Sequence, residues 1–241
     1  MSTLELVQPL HARRPLAVSQ EIESRAATAK AQPDPGYFYH GENTDYELKE
    51  AGEGVFVSDY VSRLSTDLER RLRILDIGAG AGGFVLRQIE DGHAVQGLSL
   101  HDYRTARRRP GLATQARRLS DDAYRIGDVQ NLHAIEGLRT DYDFIVGRWV
   151  FPHLIDPLGA LEQVVDRLAP RGVAAITRVP TDFCYEPVLD AGAVIDVIES
   201  AGYVTEGSKF ERDGPSIPLL VIQRGESAGD LRFPVEFRAT T

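Results

Sequence analysis

From residue 73 onward, short apolar runs alternate with segments whose apolar residues recur at helical spacing. The apolar runs near 73–77, 93–98, 122–126, 142–147, 172–178, 203–209 and 217–224 predict seven strands, several of them apolar enough for burial on both faces. Amphipathic segments near 82–91, 102–109, 130–138, 157–169 and 187–201 predict the intervening helices. Such alternation predicts an α/β fold, a mostly parallel sheet with helices on both faces. No helix separates the last two strands; they meet across ERDGPS, residues 211–216, which predicts a hairpin and an antiparallel last strand.

Upstream the pattern weakens. VSQEIESRAATAKAQ, residues 18–32, has helical composition but a thin apolar stripe, and Pro33 and Pro35 end it. A helix is predicted at about 55–69. Residues 1–54 then read as an appendage and lid segment, 55–225 as the main domain, and 226–241 as a polar tail.

The most informative stretch is RILDIGAGAGGFVLRQIEDGHAVQGLSL, residues 73–100: strand, glycine-rich turn, helix, strand. Glycines at such a turn let a ligand lie on backbone N–H groups at a helix N-terminus, the arrangement of a Rossmann-like nucleotide site. Two fingerprints overlap here. Gly78, Gly80 and Gly83 satisfy the dinucleotide pattern G-x-G-x-x-G, whereas Asp76, Gly78, Gly80 and Gly82 satisfy D-x-G-x-G-x-G. A buried carboxylate beside a pyrophosphate is unfavourable, but beside a cationic amino-acid end it is useful. The second pattern resembles motif I of the class I S-adenosylmethionine-dependent methyltransferases. Their sheet also has seven strands with an antiparallel last one.

That resemblance covers about 73–224 and implies the roles of further residues. Asp76, Gly78, Ala79, Gly80 and Gly82 would hold the amino-acid end of S-adenosylmethionine. Ser99 and Leu100 end the second strand, where the family usually has an acid for the ribose hydroxyls. Serine offers one contact instead of a bidentate pair, and Asp102 either reaches the ribose or caps the next helix. In YRIGDVQNL, Asp128 and Val129 would meet the adenine, or Asp128 is a turn residue and helix cap. In YDFIVGRWVFPHLIDP, Gly147, Arg148 and Trp149 would border the pocket, with Trp149 either walling the acceptor site or anchoring its loop. LAPRGVAAITR resembles the family's entry to the fifth strand, with Arg171 where glycine is common.

Methyl transfer needs an acceptor held in line with an activated methyl group, and a base when the acceptor must lose a proton. His153 is the preferred base, against a structural role in its loop; His101 and His40 are weaker candidates. Tyr37, Tyr39 and Tyr46 either close over the cofactor or fasten the N-terminal segment. Arg104, Arg107, Arg108, Arg109, Arg117 and Arg118 form a basic stretch without interleaved aromatics, which reads as a solvated face and not as nucleic-acid machinery.

Composition narrows the setting. The 241 residues, 42% hydrophobic, suffice for one full α/β core, and a formal charge of −9 disfavours nonspecific nucleic-acid binding. No apolar run approaches the roughly 20 residues of a membrane span. The N-terminus has no apolar core of a secretory signal, and a single cysteine, Cys184, fits a reducing cytoplasm and leaves no thiolate metal site. The expectation is therefore a cytoplasmic, metal-independent methyltransferase of secondary metabolism, acting on an O, N or C atom of a small molecule. Its rivals are a non-methylating cyclase or binding protein of the same fold, and a less favoured NAD-dependent oxidoreductase.

Overall fold

The computed structural model describes residues 16–31, 57–106, 110–180, 182–183, 186–187, 191–206, 216–234 and 237. Its elements in order are α1 (Leu16–Ala31), α2 (Val57–Asp67), β1 (Arg73–Ile77), α3 (Gly83–Glu90), β2 (Ala94–Ser99), α4 (Pro110–Ala116), β3 (Tyr124–Ile126), β4 (Tyr142–Gly147), α5 (Pro157–Val165), β5 (Leu168–Pro180), α6 (Ala191–Ser200), β6 (Tyr203–Glu206) and β7 (Ser216–Arg224). A two-residue ladder, Asp182–Phe183 with Glu186–Pro187, stands apart. The seven strands form one sheet in the order β3-β2-β1-β4-β5-β7-β6. β1 to β5 pair in parallel, and β7 runs antiparallel to both β5 and β6. The expected seven-stranded sheet with an antiparallel last strand is thus what the chain forms.

The sheet separates two cores, and alternation along the strands feeds both. Leu75, Ile77, Tyr142 and Ile145 join Leu161, Val164, Val194 and Ile198 on one face. Ile74, Phe144 and Val146 join Val61, Phe84 and Val85 on the other. Strands buried on both sides explain the continuous apolar runs of the sequence.

Several elements differ from expectation for local reasons. The described part of the expected helix 102–109, residues 102–106, holds a 3₁₀ turn at Tyr103–Thr105 capped by Asp102, and a described α-helix runs from Pro110, a residue suited to a first helical turn. The predicted helix at 130–138 is a 3₁₀ stretch, Val129–Ala134, broken at Asn131 (φ −133°). The fifth strand starts early, at Leu168, because it bulges: Tyr142 faces Leu168, yet Phe144 already faces Val173. Arg171 in that bulge has φ +64°. A Cβ on Gly172 would lie 2.7 Å from the Tyr142 carbonyl oxygen, so that neighbour must be glycine. The run after Arg224 is polar on average but not detached. Leu231 and Phe233 are fully buried, and the Phe233 N–H donates to the Glu162 carboxylate. The N-terminal appendage also docks, through Ile22 and Ala29 of α1.

At the amino end of β4, Asp143 is buried to 1% side-chain exposure between two arginines. Arg70 donates to both its oxygens at 2.8 and 2.6 Å, and Arg73 donates through its backbone N–H and guanidinium at 2.8 to 3.1 Å. Burial alone would raise the pKa of this carboxyl; the hydrogen bonds from Arg73 and Arg70 outweigh it and hold the value at about 2.

Two outcomes follow for stability. The folded pKa of Asp143 lies below the roughly 3.9 of an unfolded aspartate, so its contribution is full above about pH 5 and lost as pH falls toward 2. Asp143→Asn should cost on the order of 2 kcal/mol at pH 7 and flatten that acid dependence, as read by urea unfolding at several pH values. Arg171→Gly should stabilise the fold by roughly 0.5–1 kcal/mol, because glycine takes a left-handed φ without the Cβ penalty; an unchanged or lower urea midpoint would refute this.

Candidate cofactor and active site

Parallel pairing brings the carboxyl ends of β1 to β4 to one edge of the sheet. Asp76 is opposite Gly97 of β2 and Val146 of β4, and Ser99 is opposite Ile126 of β3. Just beyond lie Gly78–Gly82, Ser99–Leu100, Asp128–Val129 and Gly147–Trp149, the places where open α/β sheets collect ligands.

In the turn after β1, Gly78, Gly80 and Gly82 all have left-handed φ, +75°, +54° and +76°, while Gly83 does not. The strained set is therefore D-x-G-x-G-x-G, and Gly83 is simply the first residue of α3. The N–H groups of Gly78 and Ala79 donate to the Leu98 carbonyl at 2.8 and 2.9 Å, which ties the turn to β2. A Cβ on Gly78 would come within 2.0 Å of Val150 Cγ2, and one on Gly82 within 2.2 Å of Leu119 Cδ1. At Gly80 the nearest atom is 4.0 Å away, so this glycine faces open space.

Asp76, 1% exposed, lies at the end of β1 just before this turn, and its Oδ2 is 3.9 Å from Arg148 Nη2. The Arg148 guanidinium also lies 5.2 Å from the centre of the Phe84 ring. Next to it, Trp149 has φ +55°, and its N–H donates to the Thr177 hydroxyl at 2.9 Å. A left-handed tryptophan costs about 1–2 kcal/mol, so the loop leaving β4 is held in place by its surroundings.

At the β2 end, Ser99 is 4% exposed. Asp102 accepts from the Arg104 N–H at 3.0 Å and from its guanidinium at 2.8 and 3.1 Å, so of its two readings the geometry takes the cap. Tyr124 donates to the Gly80 carbonyl. Burial, before any other influence, raises the pKa of this phenol and keeps it protonated.

At the β3 end, Asp128 is 8% exposed and caps its 3₁₀ turn by accepting from the Gln130 N–H at 2.9 Å. Val129 beside it is buried. The Gln130 side chain is the residue that sequence reasoning missed. Its amide nitrogen lies 3.2 Å from each Asp128 oxygen, and its Oε1 accepts from the Ile155 and Asp156 N–H groups at 2.7 Å each. One glutamine thus joins the β3 end to the loop after β4; only its position two residues past Asp128 hinted at this.

His153 ends a 3₁₀ turn, Phe151–His153, in that loop, and its carbonyl accepts from Arg25 of α1 at 3.0 Å. Desolvation, then the Arg25 charge, lowers the imidazole pKa below the ordinary histidine value. The basic stretch is engaged in structure: Arg104 pairs with Asp102 and Asp121, Arg118 with Glu90, and Arg117 donates to the Arg104 carbonyl. Tyr37, Tyr39, Tyr46, His40, Cys184 and Arg107–Arg109 lie outside the described residues. Among the described residues, no cluster of three or more His, Cys, Asp or Glu could hold a metal ion, and no helix is long and apolar enough to cross a membrane.

Residues 49–223 match the family model described as a methyltransferase domain. No curated protein sequence matches the chain. Among solved structures, the Burkholderia thailandensis 1,6-didemethyltoxoflavin-N1-methyltransferase, with bound 1,6-didemethyltoxoflavin and S-adenosylhomocysteine, is 17% identical with a TM-score of 0.52, over 88% of this chain and 92% of that one. An S-adenosylmethionine-dependent methyltransferase from Mesorhizobium loti is 17% identical at TM-score 0.45, over 64% and 91%. The bifunctional kinase-methyltransferase WbdD is 19% identical at TM-score 0.49; 77% of this chain matches, spanning 40% of WbdD. With the glycine turn, the strand order and the family match together, the chain belongs to the class I S-adenosylmethionine-dependent methyltransferases.

Proposed function

We propose that this protein catalyses methyl transfer from S-adenosylmethionine to an O, N or C atom of a small-molecule acceptor, by in-line displacement. The observation that carries the reading is the pair Asp76 and Arg148, 3.9 Å apart at the carboxyl ends of β1 and β4. A carboxylate and a guanidinium 3.9 Å apart complement the ammonium and carboxylate of a methionine end, and the missing Cβ leaves room against the turn. Gly78, Ala79 and Gly82 shape that cradle, Ser99 and Leu100 border the ribose, and Asp128 and Val129 meet the adenine. Capping its own turn leaves Asp128 acceptor capacity, since a carboxylate has about four lone-pair sites. The cofactor, when bound, supplies an already activated methyl group. The chain's own work is to orient the acceptor, exclude water and, for a protic acceptor, take up a proton.

Gly147, Arg148 and Trp149 with the loop through 156 form one wall of the acceptor site. The lid expected within 1–54 lies, apart from α1, outside the described residues. His153 is the proton acceptor on this reading: a lowered pKa keeps its imidazole neutral near pH 7. Small-molecule specificity is supported by the internal pairing of Arg104 and Arg118 and by a fold neighbour named for N1-methylation of 1,6-didemethyltoxoflavin. The single cysteine suits a cytoplasmic setting, and a role in secondary metabolism fits such an acceptor.

Asp76→Ala should weaken S-adenosylhomocysteine binding by about 100-fold in calorimetric titration, since it removes the carboxylate that on this reading meets the ammonium of the ligand. Affinity unchanged from the native protein would remove Asp76 from the site. For a protic acceptor, His153→Ala should lower kcat by about 10²-fold or more and abolish the acidic limb of the pH–rate profile, with KM little altered. Native kcat in that variant would assign His153 to the loop's structure.

A further inference from the structure

The loop between β4 and α5 carries His153 and is pinned at both ends. At its start, Val150 packs where a Cβ on Gly78 would lie, and the Trp149 N–H donates to the Thr177 hydroxyl. At its far end, just past His153, the Ile155 and Asp156 N–H groups both donate to Gln130 Oε1 at 2.7 Å. The nitrogen of the same amide lies 3.2 Å from each oxygen of Asp128. Gln130 is 2% exposed, so water does not stand in for a partner that is lost.

These neighbours dictate the residue type. One side of the terminal group must accept two N–H groups and the other must donate to a carboxylate, and a side-chain amide is a neutral group that does both. An ionised glutamate would accept but not donate, and methionine would fill a similar volume and do neither. The backbone of Gln130 is anchored as well. Its N–H donates to Asp128 Oδ1 at 2.9 Å, and its carbonyl accepts from Gln163 of α5 at 2.7 Å. Two titratable side chains belong to the same network: Asp156, which accepts from the Gly159 N–H, and His133, whose ring bonds to Gln163.

Resting on the methyltransferase reading above, we infer that Gln130 is a positioning residue for methyl transfer: one buried amide holds Asp128, at the adenine end, and the loop bearing His153 in a single register. The methyl group is placed from the cofactor's side and the proton acceptor from the loop, so the span of Gln130 helps to set their separation. A misplacement of about 1 Å between such groups costs about 100-fold in rate. Because one side chain joins the two places, a ligand at the adenine end also orders the loop, and that effect disappears with the amide.

The test reads both ends of the amide in the full chain and needs no acceptor. Trp149, the single tryptophan, lies in the loop and reports its order through acrylamide quenching. Adenosine, which lacks the methionine end, should reduce that quenching in the native protein and leave it unchanged in Gln130→Met. Gln130→Glu keeps an acceptor for the two loop N–H groups, so its quenching without ligand should stay native, but it sets a carboxylate against Asp128. Such a pair holds one shared proton to a higher pH than a lone carboxylate does. Its calorimetric affinity for S-adenosylhomocysteine, divided by the native value at each pH, should therefore be down about tenfold or more near about pH 8 and recover to within about threefold near about pH 5. The same ratio for Gln130→Met should stay level with pH, and the division cancels the titration of Asp156, His133 and the ligand. Native quenching unmoved by adenosine, a Gln130→Met protein that still responds to it, or a level Gln130→Glu ratio would each overturn the inference and leave the methyltransferase reading standing. If Gln130→Met does not fold, the native response and the Gln130→Glu ratio decide. Failure of S-adenosylhomocysteine to bind the native protein would overturn that reading and the inference with it.

Discussion

The site is organised by the absence of a side chain at Gly78. With φ +75°, the turn after β1 bends so tightly that Val150 of the loop after β4 occupies the position a Cβ would take. The two loops that frame the ligand are pressed together there, and the same turn is bonded to β2 through the Leu98 carbonyl. Val150 follows Trp149, whose left-handed backbone is secured by Thr177 on β5. Four strand ends are thereby fixed relative to one another by packing and hydrogen bonds, with no contribution required from a ligand.

Around this contact the polar side chains divide into two groups. Asp143, Glu162 and Gln163 are buried and engaged within the protein, at the amino end of β4 and along α5. Asp76, Arg148, Ser99 and Asp128 gather at the carboxyl ends of the strands. Asp143 shows the difference. Its pKa is held near 2 by two arginines and it serves stability, whereas Asp76 has its arginine at 3.9 Å, beyond direct hydrogen-bond length for that pair. Gln130 belongs to both groups, since it steadies Asp128 and at the same time receives two N–H groups at the start of α5.

The order of elements, the antiparallel last strand and the glycine turn were legible in the sequence because they rest on local chemistry. Apolar periodicity sets strand and helix, and a left-handed turn demands glycine wherever it falls. Element ends were less legible. Where helices were expected to start at 102 and 130, the chain forms 3₁₀ turns under the caps Asp102 and Asp128, and the β5 bulge placed Arg171 at a left-handed φ that its residue type does not advertise. The polar average of the chain after Arg224 hid Leu231 and Phe233, which find their partners across α5 and the sheet.

What the sequence determined by itself was the fold class and the candidate acid and glycines of the turn, since each depends on residues within a few positions of one another. Only the tertiary structure decided which charges meet. Arg148 reaches Asp76 across 72 positions, Gln130 links two loops, and Tyr124 takes the Gly80 carbonyl from 44 positions away. Those contacts depend on parallel strands aligning their ends, and a pairing of distant strands leaves no mark in the local pattern of the chain.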